Sequence, residues 1–493
     1  MTVFWPGLFA IFGLYVAVFC VGIWAGKNVP EADSADELLL AGRNLPLWVG
    51  FLTMTATWVG GGYINGTAEY TYSSGILWGA QAGFGYALAL IVGGLFYAQT
   101  MRRAGYATLI DPLDARYGKT VAGLLMIPAV IAELFWSAAI LVALGTTFST
   151  VIGVDLTTSI LISSAVAIGY TVFGGLRAVA YTDVIQLALI VIGLGLAVPY
   201  AVQLGGGLSA LDFSTLHISS VNEALSWSDY TLLLVLGGIP WNVYFQRVLS
   251  ARSPRAAATL SIAAGVLCAL MAIPPVLIGL AAVQIDWVDL ALQNGLPPNE
   301  IKDVLLDQPA VVLPYTLRYA VPQWVGVFGL GAVGAAVMSS VDSSILSAAS
   351  LVTWNGYRRF IDPELEGPAL ARVVKILIVS LGGAASLIAL SVSSISALWL
   401  LCGDLVYSVL FPQLTLALFD RKANRIGAIG GLLISAFLRL GGGDSTLGFP
   451  AFLPYPQGDF DFPFRTLAMI TGLVSAILLS RLTVSIDPPR AIP

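Results

Sequence analysis

Residues 334–350, GAAVMSSVDSSILSAAS, combine a helical apolar pattern with small polar side chains and one acid. Four small residues at positions i, i+3, i+4 and i+7 share one helical face, called here the polar stripe. They are Ala336, Ser339, Ser340 and Ser343. Asp342 lies next to it, and a carboxylate at membrane depth is costly enough to indicate a function. Hydroxyl and carboxylate oxygens are suitable ligands for a hard cation. Close packing of small residues against another helix is the alternative.

Two other apolar runs are interrupted by residues that disfavour a helix. In residues 56–66, ATWVGGGYING, three glycines follow Trp58. In residues 237–247, GGIPWNVYFQR, a proline without an N–H group precedes Trp241. Each glycine costs about 1 kcal/mol relative to alanine in a helix. Backbone groups released at a break in lipid must be satisfied by protein, water or ions. Paired interruptions in two halves of a chain are typical of a transporter's binding site.

Aromatic side chains within predicted spans form the third signal. Tryptophan and tyrosine usually line the membrane interfaces, but Trp58 and Trp241 adjoin the predicted helix breaks. Tyr86, Trp136 and Trp399 also fall inside apolar runs. Rings that converge on one cavity would bind an organic cation. A quaternary ammonium has no N–H to donate, so its recognition depends on cation–π contacts.

Other charged residues in apolar runs have weaker interpretations. Asp183 follows Thr182 near a predicted helix start, where it could be a helix cap. Glu133 lies in the middle of a predicted helix. For Asp404 we expect a structural role, and for Arg247 a cytoplasmic gate or an interfacial anchor.

Composition identifies a polytopic membrane protein. The 493 residues are 57% hydrophobic and 10% charged, with a mean hydropathy of +0.87, whereas soluble domains contain about 25% charged residues. The net charge of −5 indicates no particular partner, and no basic run suggests nucleic acid. Three scattered cysteines and one histidine provide neither a metal spacing nor a nucleophile–base pair, so an enzyme is not expected.

A membrane helix needs about 20 apolar residues, and the chain offers thirteen candidates. They are residues 3–24, 47–70, 76–100, 121–151, 156–174, 181–203, 229–250, 256–283, 311–353, 369–393, 396–419, 423–440 and 464–483. The run 311–353 is too long for one crossing, so we expect a lead-in element before a span near 323–352. We expect one transporter domain over residues 1–493.

The positive-inside rule sets an expected orientation. With the N-terminus outside, nineteen of the 23 Lys and Arg residues fall in or beside inside loops. Only Lys302, Arg318, Arg439 and Arg465 then remain outside. This asymmetry favours an odd number of spans and a cytoplasmic C-terminus.

At these residues the chain resembles the sodium:solute symporter family, and within it the branch of high-affinity choline transporters. The stretches ATWVGGGYINGTAE and GGIPWNVYFQRVLS are specific to that branch, whereas the serine stripe in GAVGAAVMSSVDSSILSA is shared more widely. Similar stretches run from about residue 50 to residue 483. The family's known function therefore provides expectations for nearly the whole chain.

The resemblance implies an all-α, leucine-transporter-type fold with thirteen helices and two inverted five-helix repeats. The first helix, 3–24, would precede the repeats at 47–203 and 229–419, and two helices at 423–483 would follow. It also implies sodium-driven, chloride-dependent choline import across the plasma membrane, without a cofactor.

By motif position, the resemblance also places the family's binding sites on named residues. The choline cage falls on Trp58, Tyr86, Trp136, Trp241 and Trp399. A first sodium site falls on the carbonyls of Ala56 and Val59, together with Ala336, Ser339 and Ser340. A second sodium site falls on positions matching Asp183, Asp342 and Ser343. No residues match a chloride site.

The chain departs from the animal members of the branch in two ways, and other functions stay open. It lacks their long cytoplasmic tail, and its only glycosylation sequon, at Asn65, lies in a predicted span. We therefore expect a bacterial plasma-membrane protein. A symporter for another quaternary amine, such as a betaine, is the nearest alternative function. A non-transporting amine sensor and a channel are more distant alternatives.

Overall fold

The computed structural model describes residues 3–26, 35–172, 176–392, 394–444, 446–456 and 462–491. These residues are predominantly helical, and their extended pairing is limited to two isolated bridges, Leu45 with Ala251 and Asp444 with Phe449. The predicted span ends at residues 174 and 393 lie outside the described residues.

The α-helices of the first part of the chain extend to the polar segment near residue 210. They are α1 Trp5–Gly26, α2 Ala35–Leu40, α3 Leu47–Trp58, α4 Gly61–Ser74, α5 Ile76–Gly79, α6 Gln81–Val92, α7 Gln99–Ala104, α8 Asp111–Tyr117, α9 Lys119–Ile152, α10 Leu156–Thr171 and α11 Leu176–Leu204.

The remaining helices continue to the C-terminal region. They are α12 Val221–Leu236, α13 Asn242–Ser250, α14 Pro254–Met271, α15 Ile273–Gln284, α16 Trp287–Gln293, α17 Glu300–Asp307, α18 Val312–Tyr319, α19 Gln323–Leu351, α20 Arg358–Phe360, α21 Gly367–Ser391, α22 Ile395–Leu405, α23 Phe411–Phe419, α24 Arg425–Gly441 and α25 Phe464–Leu482. Three π-helical turns, Gly93–Ala98, Val352–Tyr357 and Val406–Leu410, connect successive helices.

Eight helical segments in the described residues are long and apolar enough to cross a membrane. They are Ile76–Ala104, Lys119–Val151, Leu176–Leu204, Pro254–Gln284, Gln323–Phe360, Gly367–Ser391, Ala397–Phe419 and Phe464–Leu482. Two shorter apolar helices, Trp5–Val18 and Leu156–Gly169, coincide with two more predicted spans. The lead-in predicted before residue 323 is also present, as α18.

The first predicted helix break occurs where α3 ends and α4 begins. Val59 leaves the helical conformation with φ −84° and ψ 54°, and Gly60 is extended. Gly61 and Gly62 are already part of α4. The break is therefore sharper than three glycines suggested, because two residues reset the direction of the backbone.

The second predicted break separates α12 from α13. The N–H of Trp241 donates to the carbonyl of Ile239 at 2.8 Å, which forms a tight turn around Pro240. The carbonyl of Trp241 then accepts from Phe245 at 3.1 Å and starts α13. Both interruptions are buried, so their polar backbone groups depend on neighbouring helices.

Helix α19 is the central element, because it contacts α3, α4, α9, α11 and α13. Its small residues permit close approach. A Cβ added to Gly60 would overlap the Ser340 side chain, 2.5 Å from its Cβ, and would lie 3.5 Å from the Ala336 carbonyl oxygen. The polar stripe of α19 therefore lies directly against the break between α3 and α4.

This contact generates a steric prediction. Gly60→Ala should destabilise the folded protein by about 1–3 kcal/mol, because the new methyl group must displace the Ser340 side chain or the backbone. The backbone of Gly60 is in a region open to alanine, so packing is the cause. The thermal unfolding midpoint of the purified protein measures the effect.

Gly62→Ala is the matched control, since a Cβ at Gly62 meets no atom within 4 Å. Its midpoint should equal or exceed that of the unsubstituted protein. Equal midpoints for both variants would contradict the close approach of α3–α4 to α19.

Candidate substrate and ion sites

The five aromatic residues singled out in the sequence lie together in one buried cluster, called here the ring cluster. Each comes from a different element: Trp58 from the end of α3, Tyr86 from α6, Trp136 from α9, Trp241 from the second break and Trp399 from α22. Each is at most 5% exposed. The two helix breaks and three continuous helices therefore build a single aromatic wall.

Ring contacts connect all members of the ring cluster. Trp58 stacks on Tyr86 with centroids 5.0 Å apart and lies 5.8 Å from Trp136. Trp241 meets Trp136 edge-on at 5.5 Å and Trp58 at 6.3 Å. Tyr86 meets Trp399 at 5.4 Å. Such offset and edge-to-face pairs stabilise one another beyond their burial.

The polar edges of these rings differ. The indole N–H of Trp241 donates to the carbonyl of Gly237 at 2.8 Å, which fixes the ring to the helix break. The indole nitrogen of Trp58 is buried and has no hydrogen-bond partner among the residues that the structure describes. The sequence reasoning missed Tyr63, whose ring stacks on Tyr86 at 6.5 Å and whose hydroxyl donates to the Cys268 carbonyl.

A first group of oxygen atoms surrounds the end of α3. The last carbonyls of a helix lack intrahelical partners, and here the hydroxyl of Ser340 donates to the Thr57 carbonyl at 3.1 Å. The side of α19 that carries Ala336 and Ser340 faces this end. Of the residues expected at the first sodium site, Ser340 and Ala336 thus lie beside the helix end that carries Ala56 and Val59.

A second group of polar side chains surrounds Asp183. One carboxylate oxygen accepts from Ser339 at 2.5 Å, and the other accepts from Thr53 at 2.5 Å. The hydroxyl of Ser339 therefore points to Asp183 in this structure, although the resemblance assigned Ser339 to the first site. Asp183 lies well inside α11, which begins at Leu176, so the helix-cap interpretation is wrong.

Arg247 completes this second group. Its guanidinium donates to Ser343 at 2.5 Å and lies 3.7 Å from Asp183, and both partners are fully buried. Asp342 and Glu133 lie within electrostatic range of the same guanidinium. An interfacial anchor would be exposed, so that interpretation of Arg247 is wrong. No motif spacing in the sequence indicated that Arg247 would meet Asp183.

Glu133 has a partner that the sequence did not reveal. Its carboxyl group accepts from Ser347 at 2.6 Å, one turn of α19 beyond Ser343. Ser137, on the same helix as Glu133, donates to Ser344 at 2.9 Å. The polar residues of α19 therefore make contacts along a longer stretch than the stripe identified from the sequence.

Asp404 belongs to a separate network with two arginines. It accepts from Arg439 and, at 3.2 Å, from Arg465. Arg439 also donates to Asp444 at 2.8 Å, and Arg465 lies 3.4 Å from Asp229. A cavity of 380 Å³ opens beside this network. The expected structural role of Asp404 is thus consistent with its partners.

The oxygen atoms of the first two groups fit a sodium ion chemically. Serine and threonine hydroxyls, one carboxylate and carbonyls at a helix end are hard oxygen donors, and unwound carbonyls bind coupling ions in membrane transporters. A hydroxyl that now donates can rotate its hydrogen away and offer a lone pair to a cation.

The fold is that of known membrane transporters. A solved structure described as the substrate-bound outward-open state of a Na+-coupled sialic acid symporter aligns with a TM-score of 0.78 and 20% identity. The alignment covers 99% of each chain. This likeness shows that the chain has a helical fold of the leucine-transporter type.

A sequence model of the sodium:solute symporter family matches residues 38–435. The chain is 45% identical to a Drosophila melanogaster protein named high-affinity choline transporter 1, over 96% of this chain and 78% of that one. It is 43% identical to a human protein named high affinity choline transporter 1, over 97% and 85% of the two chains. The chain belongs to the sodium:solute symporter family. These relatives are animal proteins, so the comparisons do not support the expected bacterial origin.

Proposed function

We propose that this protein imports choline across the plasma membrane, driven by the sodium gradient. The observation that carries the proposal is the convergence of five aromatic rings, from four helices and one helix break, at one buried site. A cluster of ring faces matches a quaternary ammonium, which can be recognised by cation–π contact without hydrogen bonds. The names of the two animal relatives support the same substrate.

Choline would have to separate rings that now touch. A cation binds within about 6 Å of a ring centroid, and a cation held between two faces needs both rings on opposite sides of it. Trp58 and Tyr86 have centroids only 5.0 Å apart and stack on each other. Because Trp58 ends α3 and Tyr86 belongs to α6, substrate entry would move the broken helix relative to α6.

Sodium would bind where α19 meets the other helices. We propose the first site at the carbonyls of Ala56 and Val59, with Ala336, Ser339 and Ser340. We propose the second at Asp183, Asp342 and Ser343. The contacts of Ser340 and Asp183 described above support these assignments. An ion at the first site would hold α3 and Trp58 against α19, so sodium and choline would each raise the other's affinity by the same factor.

The finer architecture is also part of the proposal. We propose thirteen transmembrane helices in one domain, with inverted repeats at residues 47–203 and 229–419, so that each repeat opens with an interrupted helix. Helix 3–24 precedes the repeats, and two helices at 423–483 follow them. The paired breaks support this arrangement, because inverted repeats place discontinuous helices in corresponding positions. Chloride dependence is proposed from the family resemblance.

Uptake by purified protein in liposomes tests the function. Radiolabelled choline should accumulate above its outside concentration when sodium is higher outside, because the ion gradient performs the work. Uptake should fall to the level of protein-free liposomes when an ionophore removes the gradient. Replacement of chloride by gluconate should reduce uptake if chloride is required.

Three outcomes would contradict parts of this proposal. Binding without uptake would favour an amine sensor, and uptake indifferent to sodium would exclude the symporter. Stronger competition by glycine betaine than by choline would favour a betaine substrate. A betaine carboxylate would need a cationic or N–H partner, whereas Arg247 is already engaged with Asp183 and Ser343.

Substitutions at Trp58 and at Ser340 should separate the ring cluster from the first sodium site. Trp58→Ala should weaken choline binding by about 1–2 kcal/mol, or roughly five- to thirtyfold in Kd, at every sodium concentration. Trp58→Phe should recover part of the loss. Ser340→Ala should weaken choline binding at low sodium concentration, and choline binding should recover at saturating sodium. Equilibrium choline binding across a sodium titration measures both effects.

Matched controls exist for both substitutions. Trp324 is 52% exposed, so Trp324→Ala should leave choline binding unchanged. Ser391 is exposed and its hydroxyl donates a hydrogen bond within its own helix. Ser391→Ala should therefore leave choline binding unchanged at every sodium concentration. Normal choline binding by Trp58→Ala would exclude the cage, and an unchanged sodium dependence of Ser340→Ala would leave that serine a packing residue.

The proposed orientation, with the N-terminus outside and the C-terminus cytoplasmic, has its own test. Cys20 is exposed, whereas Cys268 and Cys402 are buried, so Cys20→Ser gives a suitable background. In intact cells an impermeant thiol reagent should label Lys302→Cys but not Lys422→Cys, although both positions are exposed. The reverse pattern would overturn the orientation.

A further inference from the structure

Arg247 is a charged residue in the interior of a membrane protein. It lies in α13, the half-helix that follows the second break, and is fully buried. Burying a guanidinium is costly unless its charge is paired and its N–H groups are bonded. Such residues in membrane proteins usually take part in ion or substrate movement. Its partners therefore indicate what it does.

The partners of Arg247 are also proposed ion ligands. One guanidinium nitrogen donates to Ser343 at 2.5 Å and lies 3.7 Å from the Asp183 carboxylate. The other terminal nitrogen donates weakly, at 3.4 Å, to the carbonyl of Val243 in its own helix. The positive charge of Arg247 thus lies where a sodium ion at the proposed second site would bind.

The surrounding groups are suited to exchange one cation for another. Thr53 and Ser339 both donate to Asp183 and can present their oxygen lone pairs instead after rotation of the hydroxyl hydrogen. Asp342 and Glu133 also act on Arg247 electrostatically. Asp183 therefore has a cation beside it and two hydroxyl groups that could serve another cation in its place.

The pairing also connects three helices. Through Arg247, α13 is bound to α11 at Asp183 and to α19 at Ser343. Trp241, at the start of α13, belongs to the ring cluster. A cation that took the place of Arg247 would release α13 from two neighbours and change the restraint on one ring of the cluster.

We propose that Arg247 is an internal counter-cation that occupies the second ion site and that sodium must displace. This inference rests on the proposed sodium-coupled function. It assigns Arg247 a regulatory role as a competitor, so the residue sets how much sodium is needed to fill the site. Substitution of Arg247 by an uncharged residue should increase the affinity for sodium. Loss of a sodium ligand would decrease that affinity.

The test compares purified full-length variants in two assays. Equilibrium binding of 22Na+ without choline, and choline binding across a sodium titration, are measured for the unsubstituted chain and for Arg247→Gln. The half-saturating sodium concentration should fall roughly fivefold or more in the variant, which is the lower end of typical coupling between sites. Arg247→Lys should shift it in the same direction by less, since a single ammonium cannot reproduce the guanidinium fork.

Two further variants locate the effect. Arg247→Gln combined with Asp183→Asn should lose the gain in sodium affinity, because the carboxylate that binds either cation is absent. Arg439→Gln removes another buried arginine, one that pairs with Asp404 and Asp444 instead. Its sodium dependence should match that of the unsubstituted chain.

A higher or unchanged half-saturating sodium concentration in folded Arg247→Gln would overturn the proposal. If that variant does not fold, Arg247→Lys decides, and an unchanged sodium dependence would then overturn it. Absence of sodium-dependent choline binding in the unsubstituted chain would instead overturn the proposed function. The 22Na+ assay would still decide whether Arg247 competes with sodium.

Discussion

The rest of the structure depends on the satisfaction of the carbonyls at the end of α3, where Ser340 donates a hydrogen bond to the carbonyl of Thr57. A helix that stops inside a bilayer exposes carbonyls that only protein, water or an ion can satisfy. Helix α19 supplies this compensation with hydroxyls on small residues, and Gly60 lets it approach closely. The same contact that makes the break tolerable gathers the oxygen atoms that suit a cation, so stability and the proposed ion site have one origin.

In the proposed function, the ring cluster and the Asp183 group divide recognition between two kinds of chemistry. Aromatic faces provide a surface for a cation with no hydrogen to donate. Hydroxyls and carboxylates provide ligands for a small, hard ion. The end of α3 connects them, because Trp58 is its last residue and its neighbouring carbonyls face α19. Movement of one short helix end would therefore be felt at both sites.

Much of this arrangement could be predicted from local sequence. Glycine and proline located both breaks. The family resemblance grouped five aromatic residues whose rings lie together in the structure: Trp58, Tyr86, Trp136, Trp241 and Trp399. The pairing of Arg247 with Asp183 could not be predicted, because it depends on how α11 and α13 pack and no spacing along the chain encodes that. The arginine partners of Asp404 were hidden for the same reason. The pattern of Lys and Arg residues assigned Arg439 to the outside, but its side chain is buried.

The Asp183–Arg247 pair also has an electrical consequence. An acid and a base that stay paired carry no net charge when the helices that bear them change position. A sodium ion added to that site carries a full elementary charge, which the membrane potential acts on with about 2.3 kcal/mol per 100 mV. In the proposed cycle the cell's voltage would therefore drive the loaded protein inward and have little effect on the return of the empty one.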